Sequence, residues 1–156
     1  VTAEALRGIA IRTAVVRDVP RLCELLAALF AVESDFEPDV GKQARGLELL
    51  VNDPTGNSLV LVAASGDDVV GMCSVQSLIS TAEGGFAGLI EDVIVREDCR
   101  DGGIGTRLLS EALTWCATKG MSRIQLLADR GNNSALKFYF NRHWKSTSLI
   151  CLRKKL

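Results

Sequence analysis

Leu22, Leu25, Leu26 and Leu29 recur at i, i+3, i+4 and i+7, which lines one face of a helix with apolar side chains. Asp18-Val19-Pro20 just before them offers a cap and an early-helix proline. Residues 9–15 upstream read as a strand. Downstream, the acidic stretch 33–39 is broken by Pro38, and a second helix is expected to end before Asn52-Asp53-Pro54. Residues 59–64 and 69–78 read as two strands joined by the hairpin turn Ser65-Gly66-Asp67-Asp68. Gly84-Gly85 marks a further loop, and residues 89–95 a fourth strand. Residues 104–119 form the next helix, with Leu108, Leu109, Ala112, Leu113, Trp115 and Cys116 along its buried side and Gly120 as a left-handed cap. A strand over 124–128, a short helix over 133–141 and a final strand over 144–152 complete the chain. With no repeat or linker in sight, the expectation is a single α/β domain over residues 1–156. Its strands mix hairpins with helix crossovers, so the central sheet is mixed, with about four helices flanking it.

Composition narrows the chemistry. A chain of 156 residues has one domain's length and can bury roughly two-thirds of its unfolded surface without metals or disulfides. Apolar residues at 47% and charged residues at 24% are an ordinary globular balance. A net charge of −1 exerts no general pull on nucleic acid or anionic lipid, so any phosphate binding must come from a local site. The five cysteines are scattered without a CxxC pair, and His143 is the only histidine. That argues against a zinc site or a Cys/His nucleophile, and for reduced thiols in a cytoplasmic protein. No apolar run approaches the ~20 residues of a membrane span, and no signal peptide precedes the first strand. No metal, nucleic acid or membrane partner is therefore expected.

The strongest local signal is Arg100-Asp101-Gly102-Gly103-Ile104-Gly105, followed by Thr106, between a strand and an amphipathic helix. A helix N-terminus carries unpaired N–H groups and a positive dipole end, so it holds phosphate without basic side chains. Glycines let the backbone approach closely and reach dihedrals barred to other residues. By itself such a turn is equally read as simple turn chemistry. Leu108 at the third glycine position excludes a Rossmann fingerprint, and the absence of Gly-Lys-Ser/Thr excludes a P-loop.

Arg-x-x-Gly-x-Gly after the strand Leu89-Ile90-Glu91-Asp92-Val93-Ile94-Val95 resembles the central motif of the GNAT superfamily of acetyltransferases. Asn132-Asn133-Ser134-Ala135-Leu136-Lys137-Phe138-Tyr139 resembles that family's second motif, Asn-x-x-Ala-x-x-aromatic-Tyr. The order of elements matches over nearly the whole chain, and Ile90-Glu91-Asp92 with the final strand looks closest to the small-amine, diamine-type enzymes. The resemblance implies acetyl-CoA as co-substrate, a primary amine as acceptor, and a splay between strands 4 and 5. It leaves the backbone of Val93, Ile94 and Val95 to pair with the amides of pantetheine, as an added strand would. The pyrophosphate would then lie on the turn from Asp101 to Thr106, with Asn132 and Ala135 on the arm's other side. A homodimer is allowed for.

The family places its general acid at Tyr139, the only tyrosine here. A phenol with a pKa near 10 can protonate a departing thiolate. Without the motif, Phe138-Tyr139-Phe140 reads as core aromatics. Glu91 is the base, directly or through a water, because a carboxylate in an apolar strand is costly to bury without a purpose. A salt bridge at the strand end is its alternative, and Asp92 ranks below it. Strand alternation sets Glu91 on the face of Val93 and Val95, with Asp92 opposite. A backbone N–H near Val93 or Ile94 is the oxyanion donor.

Two positions depart from the family pattern. His143 stands where glycine is common, a left-handed conformation that histidine tolerates at a cost of about 1 kcal/mol. Asp101 stands where the family has a small or basic residue. Glu33, Asp35, Glu37 and Asp39 form an acidic loop that would concentrate a cationic amine or merely be solvated. An acetyl-cysteine route, with Cys99 beside Arg100 as its nucleophile, is the enzymatic rival. A catalytically silent acetyl-CoA-binding module is the non-enzymatic one.

Overall fold

A computed structural model describes residues 8–32 and 36–154. Among the described residues five strands form one sheet in sequence order: β1 (Ala10–Thr13), β2 (Ser58–Ser65), β3 (Asp68–Ser80), β4 (Gly85–Val95) and β5 (Ile124–Leu126). The first four pair antiparallel and β4 pairs β5 parallel, giving the mixed sheet expected. The described helices are α1 (Val19–Phe30), α2 (Val40–Val51), α3 (Ile104–Thr118) and α4 (Asn133–Phe140). The chain separates into two compact units, one ending at Leu126 and the other beginning at Leu127.

In the first unit, α1 buries Leu22, Leu25 and Leu26, the stripe its periodicity announces, and α2 buries Leu47. They form one core with Val60, Val62, Met72 and Ile94 of the sheet. On the opposite face α3 comes close enough that a Cβ on Gly71 would lie 3.3 Å from Leu108, and one on Gly88 only 2.9 Å from Cys116 Sγ. Gly88 is therefore the residue that lets α3 close onto the β4–β5 junction. Helix α3 ends in a Schellman motif: Gly120 has φ 69°, its N–H reaches Ala117 O at 3.0 Å, and Met121 N–H reaches Cys116 O at 3.1 Å.

One expected element is missing. Residues 144–154 form no strand. The run Leu149-Ile150-Cys151-Leu152 is exposed, with Leu149 and Leu152 at 85% and 86%. A lone extended segment gains no ladder hydrogen bonds, and four consecutive apolar residues, unlike an alternating strand, need cover on both faces.

Candidate active site

The β3–β4 register carries an irregularity. Cys73 pairs with Val93 and Val75 with Ile90, so the single residue Ser74 faces two residues, Glu91 and Asp92. That is a β-bulge on β4, and it resets the alternation of faces. Ile90 and Gly88 share the α3 side with Val93 and Val95, while Asp92 joins Ile94 and Ser74 on the side of α1 and α2. Glu91 stands in the bulge, where strict alternation no longer assigns its face, and it is exposed.

Asp92 is anchored. Its Oδ2 accepts a 2.8 Å hydrogen bond from Ser74 Oγ, and its own N–H donates to that oxygen at 3.1 Å. Ser74 has no exposed surface. Burial pushes the Asp92 carboxyl up; the Ser74 bond opposes this and the charge of Glu91 adds to it. A sequence reading that ranked Glu91 first could not see this, because its cause is a one-residue pairing slip.

β5 ends at Leu126, opposite Ile90, just before the bulge. The parallel pairing covers only Gly88–Ile90 against Ile124–Leu126, so Val93, Ile94 and Val95 have β3 on one edge and no strand on the other among the described residues. This bare edge of β4 lies where the splay between strands 4 and 5 was expected. Arg100 Nε donates to Val95 O at 3.0 Å, tying the following turn to the end of the strand.

In that turn Asp101 adopts φ 62° and Gly103 φ 77°. Gly103 is the N-cap of α3, and a Cβ built on it would meet no atom within 4 Å. The space over the helix end is open, and Ile104, Gly105 and Thr106 form the first turn whose amides point out of it. The left-handed Asp101 is exposed, as a carboxylate beside an anion site would need to be.

Cysteine chemistry fares worse. Cys99 is buried, and desolvation raises its thiol despite the neighbouring Arg96. Cys73 is pushed up to about 12 and Cys116 also upward, each chiefly by burial. Such thiols are protonated near neutral pH, which disfavours a thiolate nucleophile. Among the described residues no group of three or more metal-ligating side chains is gathered in one place.

The acidic loop is partly committed to structure. Asp39 caps α2, accepting from Lys42 N at 3.0 Å and pairing with Lys42 Nζ at 3.3 Å, and these bonds hold its carboxyl low. Phe36 stacks on Phe30 at 5.1 Å, Glu37 is exposed, and Glu33 and Asp35 lie outside the described residues. Nearby in sequence, Gln43 of α2 is buried with neither amide atom hydrogen-bonded. A polar residue four positions before the buried Leu47 was the only hint of it.

In the second unit, Asn132 caps α4: its Oδ1 accepts from Ala135 N at 3.0 Å. The two residues expected beside the cofactor arm thus form a capping pair. Tyr139 is half-buried, its ring edge-on to Phe138 at 5.2 Å and to Trp144 at 5.8 Å. What sets Trp144 there is a second Schellman motif. His143 N–H reaches Phe140 O at 3.1 Å, Trp144 N–H reaches Tyr139 O at 3.3 Å, and His143 has φ 65°. Histidine therefore holds the left-handed position as expected.

The chain matches the model of the Acetyltransferase (GNAT) family over residues 20–143, and it belongs to that family. It is similar to solved structures. A transcriptional regulator from Bacillus halodurans C-125 superposes with a TM-score of 0.81 at 25% identity, covering 95% of this chain and 99% of that one. An aminoglycoside acetyltransferase from an uncultured soil metagenomic sample gives 0.76 at 22% identity, covering 96% and 97%. An aminoglycoside N-acetyltransferase in complex with CoA gives 0.79 at 13% identity, with 94% of each chain covered. At these last two identities the likeness shows the fold alone. No match was found among curated proteins. No helix among the described residues is long and apolar enough to cross a membrane.

Proposed function

We propose that residues 1–156 act as one acetyl-CoA-binding domain that transfers the acetyl group to a primary amine by direct attack in a ternary complex. The observation that carries this reading is the β4 edge that has no strand partner past Ile90 and runs into a glycine turn at a helix N-terminus. An extended chain with two amides fits such an edge, and a pyrophosphate fits such a turn. Val93, Ile94 and Val95 would hold pantetheine, and residues 100–106 the pyrophosphate. A carboxylate of the Glu91-Asp92 bulge, or a water held by it, takes the amine proton, a β4 amide steadies the oxyanion, and Tyr139 protonates the departing thiolate.

Exposed acidic residues before α2 favour a cationic small-molecule acceptor. The similarity in fold to two aminoglycoside acetyltransferases makes polyamine-like substrates the first to try. Buried unpaired thiols suit a cytoplasmic setting. The test is thiol release from acetyl-CoA against a panel of di- and polyamines, aminoglycosides and lysine-like amines, alongside calorimetric CoA binding. Amine-dependent release supports the transferase. Tight CoA binding with no release from any amine would favour the silent-module reading instead.

A further inference from the structure

The two adjacent carboxylates of β4 differ in kind. Glu91 is exposed, whereas Asp92 is held on the inner face of the sheet by a serine with no accessible surface. Ser74 lies opposite Val60 in a stretch of β3 that is otherwise apolar: Gly71, Met72, Cys73 and Val75. A hydroxyl in that setting is costly unless bonded. Its bonds are to Asp92, one to the side chain at 2.8 Å and one from the backbone at 3.1 Å. Both ends of Asp92 are therefore fixed by one hydroxyl, next to the first residue of the strand edge that β5 leaves bare.

We infer that Ser74 is a positioning residue, and that the Ser74–Asp92 pair, rather than Glu91, is the proton-accepting unit. This rests on the acetyl-transfer reading. In the step it describes, the amine nitrogen bonds the thioester carbonyl carbon and its surplus proton passes to an Asp92 oxygen. The C–S bond then breaks, the thiolate takes a proton from Tyr139, Asp92 returns its proton to water, and the Tyr139 phenolate regains one from water.

The charged surroundings give the pair a signature. Glu91 on the same strand raises the Asp92 pKa, the Ser74 bond lowers it, and burial sets it high overall. On β3, Cys73 couples to Asp92 but stays a neutral thiol. On α1, Cys23 is raised by burial and by the charges of Glu48 on α2 and Glu24, and none of these three acts on Asp92. Removing the serine hydroxyl must then move the Asp92 titration to higher pH, and neutralising Glu91 must move it to lower pH.

The test is the acidic limb of kcat/KM against pH, with the best amine of the panel, in parallel with carboxyl-carbon NMR of aspartate-labelled protein. Ser74→Ala should shift both titrations to higher pH and lower kcat about tenfold at neutral pH, with acetyl-CoA KM unchanged. Ser74→Thr should restore both, Glu91→Gln should shift both to lower pH, and Asp92→Asn should lower kcat about 10²–10³-fold. A wild-type rate in Asp92→Asn, or a limb unmoved by Ser74→Ala in an active enzyme, overturns the inference and leaves the transferase standing. An Asp92 resonance that titrates identically with and without the Ser74 hydroxyl overturns it too. No amine turnover in the wild-type protein retires the transferase reading and this role together.

Discussion

Replacing Gly103 with alanine separates two costs that most active-site mutations confound. The residue sits at φ 77°, where a Cβ crowds its own backbone, a penalty of about 1–2 kcal/mol. No other atom lies within 4 Å of that Cβ, so no packing clash adds to it. For a domain near 150 residues this lowers Tm by roughly 2–8 °C. The methyl would instead occupy the open space over the α3 N-terminus. If phosphate oxygens bond there, losing one charge-assisted bond costs about 1.5–3 kcal/mol, which weakens CoA binding roughly 10–150-fold. Gly66, at φ 60° in the β2–β3 hairpin and also without neighbours, provides the control. Gly66→Ala should show the same loss of stability by urea denaturation and an unchanged Kd by calorimetry. A Gly103→Ala protein that loses stability but keeps its CoA affinity would refute the phosphate site.

Tyr139→Phe should lower kcat about 10²–10⁴-fold in steady-state assays with little change in acetyl-CoA KM; near-normal turnover would hand thiolate protonation to another group. Neutralising Glu33, Asp35 and Glu37 together should raise the acceptor KM and leave CoA affinity alone, with added salt acting the same way more weakly; an unchanged KM would make the loop ordinary surface. His143→Gly should raise stability by about 0.5 kcal/mol, the relief of left-handed strain less the entropy of glycine; a lower Tm in calorimetry would mean that the imidazole makes a contact of its own.

Much of this was legible because local chemistry leaves marks in sequence. Leu22, Leu25 and Leu26 of the α1 stripe are buried and Leu29 is half-buried, Gly120 closes α3, and the Arg100 to Thr106 turn opens it with Gly103 left-handed. His143 could be assigned a left-handed turn because the resembled family commonly has glycine at that place, between the tyrosine helix and an aromatic. The bulge left no such mark. Leu89 to Val95 reads as an apolar strand with two carboxylates inside it, and only pairing against Ser74 reveals that one residue is surplus. Asp39 illustrates the opposite failure. Counted among four acidic residues of a rim, it is also the cap three residues before Lys42, a local bond that competes for its charge. The final strand failed for want of a partner, a tertiary condition that no pattern of apolar residues supplies.

The bulge joins the bare edge of β4 to the Ser74–Asp92 pair. Parallel pairing of β4 with β5 lasts three residues, Gly88 to Ile90, and stops where the surplus residue begins. At the closed end, Gly88 admits Cys116 Sγ to within 2.9 Å of where its Cβ would be, so α3 is held hard against the junction. At the other end the pairing stops because β5 itself ends at Leu126, opposite Ile90, and the surplus residue of β4 follows directly. The same insertion reverses which residues face which side, and that reversal carries Asp92 onto the Ser74 side while Val93 and Val95 keep facing α3. Without the insertion, Asp92 would face α3, away from the hydroxyl that now fixes it. A single extra residue thus sets a half-buried, oriented carboxylate at the start of the strand edge that β5 leaves bare.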